Sequence, residues 1–329
     1  LSVPAHYVIA GSGSRVEERL SAGQRTERYV AERVHDVAWA AYPYFEQHTQ
    51  QVGAVALRVY APRGYGAAIA RQARVLAAAL PYFEKRYGPY PYPALTVIIP
   101  PRQAHAASGM EYPTLFTSNG SWWALPSWLP DPQHEVVSVH ELAHQWFSGM
   151  IASNEVAHPM LDEGLTQWAC LDFLRDYYAQ PQFLSRHLPF GPFELLRAAF
   201  AARLPSMPSS LLSADRYSAR TLSGAVYARP AVVLEQLADR RGHAPLTAAL
   251  SRYARVQRFR HPSPGDLWSA FDASLGPGWG SKVLRKALEG DAPSTLQVQS
   301  ERENRAPSGF TFVPELWTLL TTLLRGLGP

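Results

Sequence analysis

The sequence predicts an α+β fold in which strands come first and helices follow. Short apolar runs rich in β-branched residues, bounded by turn residues, stand in roughly the first hundred residues. From about Asp131 onward, apolar residues recur at the three- and four-residue spacing of helices, and residues 216–290 are mostly helical by this criterion. The chain has 329 residues, of which 47% are hydrophobic and 18% charged, so it can bury a sizeable globular core.

The N-terminal elements follow in order along the chain. Residues 1–10 predict a strand that ends at the turn GSGS, and Gln51–Tyr60 predict a second strand. Residues 66–88 predict a helix, because they are rich in alanine, carry apolar residues three and four apart and end at Gly88. Residues 94–101 predict a short buried strand with the sequence ALTVIIPP.

The helices of the second part have recognisable ends. Asp131–Pro132 provides an N-cap followed by a proline in the first turn, and a second helix begins near Asp162. A third helix lies between Pro230 and Gly242. Residues 310–329 predict a terminal helix whose apolar stretch is shorter than the roughly 20 residues of a bilayer span, so we expect this helix to pack or to lie on a surface.

The charge distribution and the cysteine count argue against some kinds of function. The net charge of +4 comes mostly from arginines that are scattered along the chain, which disfavours specific nucleic-acid binding. Cys170 is the one cysteine in the sequence, so neither an intrachain disulfide nor a cysteine-rich zinc finger can form.

A zinc-binding pattern lies within residues 138–169. His140 and His144 are four residues apart on a predicted helix, so both imidazoles project from one face and can bind the same ion. Glu141 follows the first histidine, and in this H-E-x-x-H pattern the carboxylate is the general base that acts on water. Because the pattern also arises by chance on amphipathic helices, the third ligand decides its meaning.

The third ligand is either a histidine or a carboxylate. Phe147 and Met150 occupy the positions at which the metzincin pattern needs a glycine and a third histidine, so that class of protease is excluded. His158 can in principle fold back from its loop. Glu163 is the better candidate, because it opens the second helix, and two imidazoles with one carboxylate leave a fourth zinc position open. We expect Asp162 to point elsewhere on that helix.

Three segments together resemble the gluzincin aminopeptidases, the family of aminopeptidase N and leukotriene-A hydrolase. HELAHQW is followed after 18 intervening residues by the glutamate of LDEG, SGMEYP occupies residues 108–113, and TLSGAVYARPAVVLEQL occupies residues 221–237. The second segment is similar to the family's G-x-M-E-N segment and the third to its tyrosine-bearing segment. Between SGMEYP and HELAHQW lie three tryptophans that line either a substrate pocket or the core, namely Trp122, Trp123 and Trp128.

The resemblance, which covers roughly residues 50–245, implies a thermolysin-like zinc peptidase catalytic domain. This domain would occupy residues 51–215, preceded by the end of a β domain at 1–50 and followed at 216–329 by its helical remainder and a C-terminal tail. The resemblance also implies one zinc ion, held by His140, His144 and Glu163. MEYP and LDEG are forms of a bacterial branch of the family, and the location of the chain in a cell is left open between extracytoplasmic, membrane-associated and other sites.

The same resemblance assigns roles to individual residues. Glu141 would be the general base, and Tyr227 would donate its phenolic hydrogen to the oxyanion of the tetrahedral intermediate. Glu111 would bind the free α-ammonium of the substrate, while Gly109 and Met110 would form an extended backbone edge beside it. These roles imply a zinc aminopeptidase that acts on peptides with a free N-terminus.

Two other functions stay open at this point. One is a catalytically weak or inactive binding or scaffold protein with the same fold, and the other is an endopeptidase, which would have no use for Glu111 as an ammonium anchor. The chain also departs from the family pattern. Tyr112 replaces the asparagine of G-x-M-E-N, and Cys170 stands where the family often has a glutamate seven residues after the ligand glutamate. We interpret Cys170 as a buried apolar residue, although a lost carboxylate there would weaken zinc binding.

Overall fold

The computed structural model describes residues 1–120, 132–183 and 207–290, and in these residues strands precede helices as the sequence predicts. The helix predicted for residues 310–329 and the three tryptophans between SGMEYP and HELAHQW lie outside the described residues. The domain limits at residues 50 and 215 stay predictions.

Two small sheets form the N-terminal part. The first has the order β1-β4-β3 and the second pairs β2 with β5, all antiparallel. The single strand predicted for residues 1–10 is wrong, because a turn closed by a hydrogen bond from Tyr7 N to Pro4 O (2.9 Å) divides it between the two sheets. The strands are β1 (Ser2–Pro4), β2 (Val8–Gly11), β3 (Ser14–Ser21), β4 (Gln24–Val30) and β5 (Trp39–Tyr42).

A four-stranded sheet with the order β6-β7-β8-β9 supports the second part. β6 and β7 form an antiparallel hairpin, whereas β7, β8 and β9 run parallel. The predicted strand Gln51–Tyr60 is wrong at its start, since the hairpin turn at residues 53–54 separates two strands there. The bounds are β6 (Phe45–Val52), β7 (Val55–Pro62), β8 (Ala94–Ile98) and β9 (Leu115–Thr117).

Eight α-helices are described, and the predicted helices at 66–88, near Asp131–Pro132, near Asp162 and at Pro230–Gly242 all lie among them. π-helical turns at Met160–Gly164, Ser223–Ala228 and Trp279–Leu284 lead directly into α3, α5 and α8, and 3-10 turns lie at Arg102–Ala107 and Ala214–Arg216. The helices are α1 (Gly66–Tyr87), α2 (Pro132–Phe147), α3 (Leu165–Tyr178), α4 (Ala219–Leu222), α5 (Arg229–Arg241), α6 (His243–Val256), α7 (Pro264–Leu275) and α8 (Arg285–Glu289).

The core lies between the four-stranded sheet and the helices. All five residues of β8 are buried, and α1 packs against both β7 and α2. The Trp146 and Phe83 rings meet edge to face with centroids 5.7 Å apart, and both side chains are almost fully buried. Burying a side chain of this kind stabilises the fold by about 1.5–3 kcal/mol, so this contact fixes α2 firmly on α1.

Buried polar contacts also hold α2 in place. The Arg71 guanidinium on α1 donates to Glu135 Oε1 on α2 at 2.8 Å, and the two side chains are only 4% and 3% exposed. The Tyr178 hydroxyl of α3 donates to the other oxygen of the same carboxylate at 2.6 Å. α1, α2 and α3 are therefore joined at one point.

Among the described residues, no helix is both long and apolar enough to cross a bilayer.

Candidate metal centre

The three predicted metal ligands, His140, His144 and Glu163, lie close together in the structure. His140 and His144 project from the same face of α2, and their Nε2 atoms are 3.0 Å apart. Glu163 reaches them from the π-helical turn Met160–Gly164, so that its Oε2 lies 3.0 Å from His140 Nε2 and 3.2 Å from His144 Nε2. The three ligand atoms therefore form a nearly equilateral triangle.

This triangle fits a zinc ion. A tetrahedral zinc site with bonds of about 2.0–2.2 Å has neighbouring ligand atoms roughly 3.3–3.6 Å apart, a few tenths of an ångström more than the spacing of these three atoms. Two imidazole nitrogens and a carboxylate oxygen are also the donor set that zinc prefers when a fourth position stays open. Beside them Glu141 Oε2 is buried and has no hydrogen-bond partner among the described residues, so a polar group is needed at that side. The residues present fit one zinc ion.

Asp162 contacts His144, one of the two histidines proposed as ligands, contrary to the prediction that it points elsewhere. Its Oδ1 lies 2.8 Å from His144 Nδ1, and the carboxylate is nearly fully buried. The Thr166 hydroxyl lies 3.2 Å from the same nitrogen. A carboxylate on Nδ1 leaves Nε2 free to bind metal and makes it more basic, so Asp162 would orient His144 if His144 binds zinc. The prediction assumed a regular α-helix, but in the π-helical turn Asp162 and Glu163 both face α2.

Glu141 is buried beside the proposed ligands. Its side chain is 4% exposed, and burial, reinforced by the neighbouring carboxylates, raises its pKa to about 8. Oxygen atoms of Glu141 and Glu111 and a nitrogen of His144 all lie within 4.8 Å of one another. A bound divalent cation would favour the ionised form of such a carboxylate, which is the form that accepts a proton.

Glu111 is presented by a short backbone edge. Thr117 N donates to Met110 O at 2.9 Å and Gly109 N donates to Thr117 O at 2.8 Å, which joins this segment to β9. Gly109 has φ +75°, a left-handed conformation that a residue with a side chain rarely adopts. The Met110 side chain is 41% exposed and does not line the cavity described below, so only its backbone can serve the predicted role.

Gln145 holds this segment against α2, which sequence reasoning missed. Its Oε1 accepts from Thr114 N at 2.8 Å, and its Nε2 donates to Tyr112 O at 3.1 Å. The residue directly after His144 therefore fixes the loop that carries Glu111.

Burial raises the pKa of Glu111, and the nearby Asp162 and Glu163 act in the same direction against the effect of His144.

Tyr227 lies beside the proposed ligands. Its hydroxyl donates to Glu163 Oε1 at 2.6 Å, and its ring stacks on His140 with centroids 5.9 Å apart. Burial, together with the Glu163 carboxylate, raises the pKa of Tyr227 far above its usual value, so the phenol keeps its proton. The hydroxyl is a donor placed at the rim of the metal centre.

These groups surround a cavity of about 270 Å³. Glu111, Glu141 and Glu163 line it, and Asp162 lies within 4.8 Å of both Glu111 and Glu163. Such a concentration of carboxylates favours the binding of cations, because each ionised carboxylate makes ionisation of its neighbours less favourable and a cation removes this repulsion. The cavity is lined by Ser108, Gly109, Glu111, Asn119, Val136, Val137, His140, Glu141, His144, Glu163, Gln167 and Tyr227.

His158, the alternative third ligand, and Cys170 lie apart from the three proposed ligand atoms. His158 donates its backbone N–H to Asn154 O at 2.8 Å, and within the described ranges it joins no cluster of potential ligands. Cys170 is fully buried, and its thiol donates to Val136 O at 3.4 Å, which links α3 to α2. Gln167, one turn away on the same helix, lines the cavity beside His140.

Curated aminopeptidases match this chain at low identity. Aminopeptidase M1 of Arabidopsis thaliana is 23% identical over 295 residues, which is 84% of this chain and 32% of that protein. Aminopeptidase 2 of Candida albicans is 24% identical over 237 residues, which is 68% of this chain and 24% of that protein. The chain therefore spans about a third of the length of these relatives, or less.

Solved structures share the fold. The M1 zinc metallopeptidase from Deinococcus radiodurans superimposes with a TM-score of 0.66 at 24% identity, covering 88% of this chain and 63% of that chain. A mutant of that enzyme bound to a Tyr-Ser-Ala substrate gives a TM-score of 0.63 at 23% identity, with the same coverage. Residues 71–286 match the Peptidase family M1 domain, which is well over half of this chain. The chain belongs to peptidase family M1, and this membership implies one zinc ion.

Proposed function

We propose that this chain is the catalytic part of a zinc-dependent aminopeptidase, which removes the N-terminal residue from peptides with a free amino group. The observation that carries the proposal is the position of Glu111, whose carboxylate lies within 4.8 Å of both Glu141 and a His144 nitrogen. A substrate ammonium paired with Glu111 leaves room for little more than one residue before the metal centre. The first peptide bond is then the one that meets the general base.

The charge of the cavity supports a cationic substrate group. Four carboxylates gather here, and one zinc ion would neutralise two of the four charges. The two negative charges that remain favour an α-ammonium group on the substrate, which forms a charge-assisted hydrogen bond with Glu111. An N-blocked peptide brings no such charge, so it would leave the Glu111 carboxylate without a partner.

The chemistry follows from the positions of the other side chains. Zinc held by His140, His144 and Glu163 would supply Lewis-acid polarisation and lower the pKa of water. Glu141 takes the proton from the attacking water and passes it to the leaving amine. Tyr227 donates its hydrogen bond to the oxygen that gains negative charge as the carbonyl carbon becomes tetrahedral.

A matched pair of substrates tests the proposal. Aminoacyl-p-nitroanilides with apolar, basic and acidic first residues are assayed with a free amino group and with an N-acetyl group. We expect release of nitroaniline only from the free forms. Cleavage of the N-acetyl forms at comparable rates would contradict the aminopeptidase assignment and favour an endopeptidase.

Glu111→Gln gives the companion test. A hydrogen bond to a charged group is worth about 1.5–3 kcal/mol, so we expect kcat/KM on the free substrates to fall roughly 10- to 150-fold. Glu46→Gln, an exposed glutamate on β6, is the control and should behave like the parent protein. Parent-like activity of Glu111→Gln would remove the ammonium-binding role.

A further inference from the structure

Gly164 lies at a close approach between the element that carries Glu163 and the element that carries Tyr227. It ends the π-helical turn that carries Glu163, and it faces the start of the helical run that carries Tyr227. A Cβ atom at Gly164 would lie 2.6 Å from Pro230 Cβ, 2.8 Å from Pro230 Cγ and 3.0 Å from Val226 O. A proline ring and a backbone oxygen cannot swing aside, so an alanine here would force the two elements apart.

The same two elements set one short hydrogen bond. Glu163 precedes Gly164, and Tyr227 follows Val226, so the contact at Gly164 is directly next to the hydrogen bond from Tyr227 Oη to Glu163 Oε1. That bond measures 2.6 Å. Its length therefore depends on how closely the chain at residue 164 approaches Val226 and Pro230.

We propose that Gly164 is a positioning residue for the reaction. Its lack of a side chain lets the phenol of Tyr227 come within hydrogen-bonding distance of the metal ligand Glu163 and hence of the reacting carbonyl. This inference rests on the proposed role of Tyr227 as the oxyanion donor. It also explains why a glycine directly follows the ligand glutamate.

The size of the effect follows from the contact distances. An ordinary contact for a Cβ atom begins at 3.4 Å, so Gly164→Ala at 2.6 Å requires the elements to separate by about 0.8 Å. An equal lengthening takes the Tyr227–Glu163 distance from 2.6 Å to about 3.4 Å, which is beyond a normal O–H···O bond of 2.5–3.0 Å. A misplacement near 1 Å can reduce turnover on the order of 100-fold.

The test compares Gly164→Ala, Tyr227→Phe and the double variant in the full chain loaded with zinc. We expect each single variant to lower kcat on free aminoacyl substrates by roughly 10- to 1,000-fold, with KM within about threefold and one zinc ion per chain. If Gly164 acts through Tyr227, the double variant falls no further than Tyr227→Phe. If the kcat of the double variant is reduced by the product of the two single-variant reductions, the proposal is overturned.

Gly280→Ala is the matched control. Its Cβ would lie 2.1 Å from Trp268 O, so it also separates two helical elements, but these carry none of the proposed catalytic groups. We expect this variant to lower the melting temperature, and its effect on kcat should simply multiply that of Tyr227→Phe. A merely structural role of Gly164 would make Gly164→Ala behave in the same way.

Relief of the contact and direct measurement of the distance complete the test. Pro230→Gly removes the two closest atoms, so Gly164→Ala combined with Pro230→Gly should recover most of the lost kcat. If Gly164→Ala alone does not fold, its effect is measured in combination with Pro230→Gly. A kcat of this combined variant well below that of Tyr227→Phe would contradict the proposal. A crystal structure of the alanine variant should show Tyr227 Oη about 3.4 Å from Glu163 Oε1, and an unchanged distance would contradict the proposal whatever the activity.

The outcomes separate this proposal from the proposed function. Parent-like turnover of Tyr227→Phe would remove the oxyanion role, and the inference on Gly164 with it. An impaired Tyr227→Phe together with a parent-like Gly164→Ala would overturn only the inference on Gly164.

Discussion

Asp162 provides the sharpest test of how the metal centre is supported. The carboxylate is nearly fully buried, and its Oδ1 lies 2.8 Å from His144 Nδ1. Replacing it with alanine leaves the imidazole without its charged partner, whereas asparagine keeps an acceptor of the same shape but removes the charge. Outer partners of metal-binding histidines typically change metal affinity or activity by about 10- to 100-fold, or roughly 1.4–2.8 kcal/mol. We expect zinc binding to weaken by about tenfold in Asp162→Asn and by about 100-fold in Asp162→Ala.

The assay is competition for zinc between each variant and a chromophoric chelator of known affinity. Asp176→Asn, on α3, which follows the turn of Asp162, has a side chain that is 49% exposed and controls for the loss of one negative charge. It should bind zinc like the parent protein. Asp162 variants within threefold of the parent, or an Asp176 variant as weak as they are, would refute the reasoning.

Three further outcomes follow from the buried groups. Glu141→Gln should keep one zinc ion but lose about 100- to 10,000-fold in kcat, measured with the same chromogenic substrates, and parent-like turnover would remove the general-base role. Glu135→Ala should lower the free energy of unfolding by about 3–5 kcal/mol in urea, because it leaves the buried Arg71 charge without this partner, and a change below 1 kcal/mol would contradict this. Burial raises the pKa of Glu235 to about 7 against the effect of Arg175. The stability that Glu235 contributes is therefore fully present below its pKa of 4.5 in the unfolded chain and is lost as the pH rises through 7. The melting temperature of Glu235→Gln should therefore change less between pH 5 and 8 than that of the parent protein. Equal changes of melting temperature with pH in the two proteins would disprove the raised pKa.

The parts of the fold with strong periodicity were predictable, and those with weak periodicity were not. Residues 66–88 show clear helical spacing, and the helix lies there. β3 and β4 have the sequences SRVEERLS and QRTERYV, in which charged and exposed residues obscure the alternation of a half-buried strand. The strand predicted from Gln51 includes a hairpin turn, because a two-residue turn is too short to interrupt an apolar pattern visibly.

The candidate site shows the same division. Four-residue spacing was enough to bring His140 and His144 together, and the resemblance supplied Glu111 and Tyr227. The contact of Asp162 with His144 depends on a π-helical turn, which no propensity rule identifies. The hydrogen bonds of Gln145 depend on the path of a loop more than 30 residues away in sequence, which only the folded chain reveals.

The central claim is that one zinc ion in this centre converts the chain into an enzyme that cuts after a free N-terminal residue. The most direct measurement is a titration of the metal-stripped protein with zinc, in which release of the first residue is followed for a tripeptide and for its N-acetyl form. We expect the rate on the free tripeptide to rise linearly and to stop at one zinc ion per chain, while the N-acetyl form stays uncut. Activity without zinc, a break at two ions per chain, or equal cleavage of both peptides would contradict the claim.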